Sequence, residues 1–135
     1  MTGKIKVALC LSGEPRHSMV CFPYIYESFI DIGKEFDVDV FTHSRSNFRS
    51  LFLYKSKNHI YESNSKQTLF KHLDSISLPS ELKKEKSFYD SYTDQTNIII
   101  NPIMMFDAIQ KCFNTAFNYG KYDIIIRCRY DFITD

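Results

Sequence analysis

Residues 4–16 read KIKVALCLSGEPR, and this stretch decides the fold class. From Val7 to Leu11 the chain is apolar on both alternating faces, the pattern of a strand covered on both sides, which is how strands of parallel sheets read. Gly13 and Pro15 then break any regular element, so the chain turns. After the turn Pro23 is suited to the first turn of a helix, followed by Ile25, Phe29, Ile32 and Phe36 at i, i+4, i+7 and i+11. The spacing predicts a helix running to about Phe36. Asp37 to Thr42 (DVDVFT) alternates polar with apolar and predicts a second strand, completing a βαβ unit.

Farther along, the pattern weakens from Ser44 to about Thr96, with one helix expected near Ser65–Ile76 and a short extended piece near Phe88–Tyr92. The segment reads as an insertion on the same domain, without repeats or low-complexity bias. At Asn101 and Pro102 an N-cap residue precedes a proline suited to the first helical position. The helix expected from there has Asp107, Gln110, Lys111, Asn114 and Asn118 on its polar stripe. Met105, Ile109, Cys112, Phe113, Ala116 and Phe117 form its buried side, and Gly120 is the expected left-handed cap. Tyr122 to Tyr130 (YDIIIRCRY) reads as a last strand, with Ile124, Ile126, Cys128 and Tyr130 on one face and Ile125, Arg127, Arg129 and Asp131 on the other. This element order predicts an α/β, Rossmann-like domain over residues 1–135 with a mostly parallel sheet flanked by helices.

Composition narrows the function classes. The 135 residues include 17 Lys plus Arg against 16 Asp plus Glu, 44% hydrophobic and 16% aromatic residues, enough for a core without staples. The formal charge of +1 is spread evenly, which argues against a nucleic-acid partner. No run of about 18 apolar residues suggests a membrane span or a signal peptide, so the expected location is the cytoplasm. Cys10, Cys21, Cys112 and Cys128 show no CxxC spacing, and two of them lie inside apolar strand-like runs, where a thiol is usually a small core residue.

Ligands of open parallel sheets bind at the carboxyl ends of the strands. Every arginine of the chain falls at or just beyond such an end: Arg16, Arg45, Arg49, Arg127 and Arg129. Either these guanidinium groups converge on an anionic ligand, with a diphosphate the natural candidate, or they pair with Glu14, Asp131 and Asp135 in rim salt bridges. The loop from Ser12 to Arg16 adds backbone N–H groups facing the same region, although it is neither a Walker loop nor a GxGxxG fingerprint. Two charges on the inner face of a strand that begins Ile-Ile-Ile suggest that Arg127 and Arg129 open onto a pocket. Asp131 is placed either to hold a divalent metal or to neutralise these neighbours, with neutralisation slightly favoured by spacing. His43, ending the second strand, is placed to touch a base or ribose, although a lone histidine there more often makes a structural hydrogen bond.

The blocks VALCLSGEPR (7–16), DVDVFTH (37–43), the helix from Asn101 to Lys111 and YDIIIRCRYD (122–131) resemble, in order, the blocks of a family of glycosyltransferases found in large DNA viruses, phages and bacteria. That family reads LSGQPR, D-x-F-x-H, a helix with an apolar start, and YD-x-x-I-R-x-R-x-D. The resemblance implies a GT-A type fold binding a nucleotide-diphosphate sugar for transfer to a glycan or other hydroxyl acceptor, in the host cytoplasm if the source is viral. It implies that Ser12, Gly13, Arg16 and His43 line the nucleotide-sugar site, and that Arg127, Arg129 and Asp131 face the diphosphate and a Mn or Mg ion, with Asp131 as metal ligand. Glu14 stands where the family has Gln, placing a negative charge near the expected phosphates. GT-A enzymes use roughly another hundred residues for the acceptor and the catalytic base, so the chain is expected to represent the N-terminal part of a longer protein. A catalytically incomplete nucleotide- or partner-binding module is the alternative. A sulfotransferase is a further one, since SGEPRHS resembles that family's phosphosulfate loop without its Gly-Thr-Thr continuation.

Overall fold

The computed structural model describes residues 3–13, 15, 17–45, 49–62 and 96–133. The chain divides into two units, one covering Met1–Glu62 with Ala108–Asp135 and the other Ser63–Asp107. In the second, the described residues are 96–107, the first half of a long helix. The helix near Ser65–Ile76 and the extended piece near Phe88–Tyr92 lie outside the described residues.

The first unit carries a four-stranded parallel sheet. Its strands are β1 (Ile5–Leu11), β2 (Phe36–Ser44), β3 (Asn58–Tyr61) and β4 (Ile124–Cys128), in the spatial order β3-β2-β1-β4. β1 pairs with β2 from Ile5 opposite Phe36 to Leu11 opposite Thr42, and with β4 from Val7 opposite Ile124 to Leu11 opposite Cys128. Among the described residues two α-helices accompany the sheet, α1 (Ser18–Ile25) and α2 (Thr96–Tyr119). The expected α/β, Rossmann-like class is what the chain forms.

Strand alternation divides the core into two layers. Leu9, Leu11, Val40, Cys128 and Tyr130 pack with Ile25 of α1 and with Leu51 and Tyr54 of a 3-10 turn (Arg49–Tyr54). Ala8, Cys10 and Phe41 point the other way and pack against Cys112 and Ala116 of α2. The helices therefore cover opposite faces, and β1 is buried from Val7 onward because it lies between them. The two faces expected for the last strand hold, with Ile126, Cys128 and Tyr130 in one layer and Ile125 in the other. All four cysteines are buried and unpaired, as small core residues.

Several boundaries differ from the sequence reading. α1 begins at Ser18 rather than at Pro23, which lies inside it. A proline has no N–H for the carbonyl four residues back, and the helix widens just beyond into a π-turn over Tyr26–Ile30, closed by the Asp31 N–H on the Tyr26 carbonyl at 2.7 Å. The helix does not reach Phe36, because Gly33 at φ 139° turns the chain and Phe36 starts β2. A Cβ on Gly33 would also meet the Glu35 carboxylate at 2.6 Å. Gly33→Ala is expected to destabilise the domain by about 1–3 kcal/mol, readable as a lower urea midpoint.

α2 likewise starts earlier than expected, at Thr96, so Asn101 is no cap and Pro102 is internal. Helix propagation from Thr96 tolerates the one bond that Pro102 cannot donate. Its buried stripe includes Met104, Ala108, Cys112 and Ala116, whereas Met105 and Phe117, expected inside, are exposed. Small residues at 108, 112 and 116 let the helix lie close on the sheet, which rotates the larger side chains outward. Gly120 is not in the left-handed region; its N–H donates to the Ala116 carbonyl at 3.2 Å, continuing the helical pattern. No described helix is long and apolar enough to cross a membrane.

Candidate functional site

From β1 the chain runs through α1 to β2 on one side, and later returns through α2 to β4 on the other side of β1. The strand order reverses between β1 and β4. In open parallel sheets the crevice outside the carboxyl ends at such a switch point is where ligands bind.

Ser12 and Arg127 flank this point. The Arg127 Nε donates to the Ser12 hydroxyl at 3.4 Å, across the β1–β4 junction. Burial, followed by the charge of Arg129, makes Arg127 hold its proton less tightly than an ordinary arginine. A partly desolvated guanidinium beside a second cation gains from any anion that approaches. Gly13, at φ 119°, gives the chain its turn directly after Ser12, a conformation that favours glycine. The Ser12 N–H is not available to a ligand, since it donates to the Cys128 carbonyl at 3.3 Å and extends the ladder by one residue. Arg16 lies outside the described residues, as do Glu14 and the side chain of Arg49.

Arg129 and Asp131 pair with each other. Nε and Nη2 of Arg129 donate to Oδ1 and Oδ2 of Asp131 at 3.0 and 2.9 Å on the exposed rim. Both carboxylate oxygens are thus engaged by a guanidinium, the neutralising role that spacing favoured. Among the described residues no group of three or more His, Cys, Asp or Glu is arranged to hold a metal ion, and both Asp131 oxygens accept from Arg129.

A second polar cluster sits at the carboxyl end of β2, on the α2 face. His43 is buried, and its Nε2 lies 2.6 Å from Glu62 Oε1, while Lys111 Nζ donates to Glu62 Oε2 at 2.7 Å and Arg45 Nη2 stands 3.9 Å from Oε1. Burial pushes the Glu62 carboxyl up, but the hydrogen bonds from Lys111 and His43 and the charges of Lys111 and Arg45 outweigh it and hold it at about 2. Burial lowers the affinity of His43 for a proton, against the pull of Glu62, and the cations Arg45 and Lys111 lower it further. His43 is therefore neutral near pH 7 and donates from Nε2 to an ionised Glu62. On the opposite face His59 places Nδ1 2.6 Å from Thr42 Oγ1 and Nε2 3.3 Å from Ser44 Oγ.

The structure thus brings together Ser12, Gly13 and Arg127, puts Arg129 and Asp131 on the rim, and gives His43 a structural partner. Sequence reasoning missed Glu62 and the role of Lys111. Glu62 follows a four-residue strand too short to show a period, and Lys111 reads as one more residue of a polar helix face. The alternation of the last strand shows Tyr130 only by the face on which it lies. Its hydroxyl donates to the carbonyls of Leu11 at 3.2 Å and His43 at 2.8 Å, tying the ends of β1 and β2 to the residues just after β4.

Comparison with protein-family models, with curated proteins and with solved structures finds no match to this chain.

Proposed function

We propose that this domain binds a nucleoside diphosphate sugar at the β1–β4 switch point and serves as the donor-binding part of a glycosyltransferase. The observation that carries the reading is the Arg127 guanidinium, partly desolvated and bonded to Ser12 where the strand order reverses. The resemblance of four sequence blocks to those of the glycosyltransferase family supports the choice of sugar nucleotide over other anions. In this reading Arg127 carries the charge that develops on the departing diphosphate, and Arg129 joins it by exchanging its exposed partner Asp131 for a phosphate oxygen. That exchange is inexpensive, because an exposed ion pair contributes on the order of 1 kcal/mol or less. Transfer itself places the sugar on an acceptor hydroxyl.

The test is an amide NMR titration of the chain with UDP, GDP, CMP and adenosine 3',5'-bisphosphate, each with and without magnesium. A nucleoside diphosphate is expected to give saturable shifts around Ser12, Gly13 and Arg127. Arg127→Ala should weaken that binding about tenfold or more while the spectrum stays dispersed. Well-dispersed spectra indifferent to every nucleotide would overturn the proposal, and a preference for the adenosine bisphosphate would favour the sulfotransferase alternative.

A further inference from the structure

Ser12 and Arg127 occupy one end of a row of polar side chains that continues across the sheet. Arg127 shares the α2 face of β4 with Ile125, and its charge acts on the Cys112 thiol of α2. Cys112 rests over the ends of β1 and β2, with its Sγ 3.8 Å from the Leu11 carbonyl and 3.5 Å from that of Phe41. The residue before it, Lys111, reaches Glu62 at 2.7 Å, and His43 of β2 reaches the same carboxylate at 2.6 Å. The guanidinium and the carboxylate therefore lie along one carboxyl edge, on one face of the sheet. In the order β3-β2-β1-β4 the strand of His43 is two places from the strand of Arg127, about 10 Å at ordinary strand spacing. Arg127 leans over β1 to bond Ser12, which shortens the span to roughly 5–10 Å.

Lys111 and Arg45 compensate the charge of Glu62, so what distinguishes this end of the row is its capacity to accept hydrogen bonds. A carboxylate oxygen has two lone pairs. Oε1 of Glu62 accepts from His43 and Oε2 from Lys111, which leaves one lone pair on each, on a side chain that is 22% accessible. Held at about 2, the carboxyl has no proton to give near neutrality, so the group calls for a pair of donors. Ionised phosphate oxygens supply none, whereas a vicinal diol supplies two. On its own side β4 is the last strand among the described residues, so a nucleotide anchored at Arg127 has sheet ends to lie along in the direction of β2. The ribose, attached directly to the diphosphate, is the part of it that matches the span.

We infer that Glu62 accepts hydrogen bonds from the 2'- and 3'-hydroxyls of the ribose of a nucleotide held at Arg127, which makes the site selective for ribonucleoside over deoxyribonucleoside diphosphates. This rests on the nucleotide reading proposed above and adds the class of donor, a sugar carried on a ribonucleotide. The discrimination follows from the acceptor: an analogue without the 2'-hydroxyl leaves a charged, partly desolvated oxygen without the partner it gains from the ribose.

The test titrates the whole chain by amide NMR with UDP against dUDP and with GDP against dGDP, pairs that differ in the 2'-hydroxyl alone. The expected result is saturable shifts at His43 and Glu62 beside those at Ser12 and Arg127, and binding about tenfold weaker for the deoxy member of the pair that binds. Glu62→Gln should shrink that preference to about twofold or less, and because the lost charge acts on both members alike, their ratio isolates the hydroxyl. The comparison in the parent chain is decisive even if the variant unfolds. Ribo and deoxy forms that bind equally, with saturable shifts at Ser12 and Arg127, would overturn this inference and leave the proposed function standing. A preference unchanged in well-dispersed Glu62→Gln would overturn it too, as would Glu62 shifts that appear with UDP-glucose and not with UDP, which would assign the carboxylate to the transferred sugar. Absence of binding by every one of these nucleotides would overturn both proposals.

Discussion

Replacing Tyr130 by Ala is expected to lower the stability of the domain by about 3–5 kcal/mol and its melting temperature by on the order of 10–20 °C. The side chain is fully buried among Leu9, Leu11, Val40 and Tyr54, so truncation opens a cavity in the larger core layer. It also removes the donor shared by the carbonyls of Leu11 and His43. Tyr130→Phe separates the two contributions. It keeps the ring and loses only the hydroxyl, and should cost about 1–3 kcal/mol. Urea denaturation of both variants reads this directly. A Tyr130→Phe variant as stable as the parent would mean that the hydroxyl does not tie the strand ends together. The consequence reaches the site, because Ser12 and Arg127 sit at the strand ends that Tyr130 joins, and looser ends should weaken nucleotide binding in Tyr130→Phe even at temperatures where it remains folded.

Acid is expected to destabilise the domain in two stages. His43 and His59 bind protons less readily when folded than the usual histidine at 6.5, so the unfolded chain takes up protons first as the pH falls below about 6.5. Stability attached to these two groups is full above that pH and declines below it. Glu62 acts lower on the scale, since its folded value of about 2 lies under the ordinary 4.5. The stability it contributes is present above about 4.5 and is lost as the pH falls toward 2, a loss of about 2–3 kcal/mol. Urea midpoints at a series of pH values should therefore be level above neutrality, fall gently to about pH 5, and fall more steeply below it. In Glu62→Gln the steeper stage should disappear, and the variant should be less stable than the parent at pH 7 because Lys111 loses its ionised partner. A steep acid stage retained in Glu62→Gln would assign it to other carboxylates.

The sequence by itself determined the fold class. The doubly apolar run of Val7–Leu11 can exist only with a layer on each face, and the alternation in Asp37–Thr42 and Tyr122–Tyr130 set which side chains share a layer. It also placed Arg127 near a strand end, because the change from Ile-Ile-Ile to Arg-Cys-Arg is local and visible in one dimension. Element ends were less legible. The period that extended α1 to Phe36 is shared by chance with a strand residue, and Gly33, whose positive φ stops the helix, looks in sequence like any other glycine.

Only the tertiary structure decided which polar groups meet. Glu62 and Lys111 are 49 residues apart in sequence and 2.7 Å apart in space. Ser12 and Arg127 are separated by 115 residues and joined by one hydrogen bond. Tyr130 reaches back to Leu11 and His43. Periodicity reports the face on which a side chain lies, because that depends on its near neighbours along the chain. Partners across strands and helices follow from strand order and register, which here turn on the crossing that sets β4 beside β1.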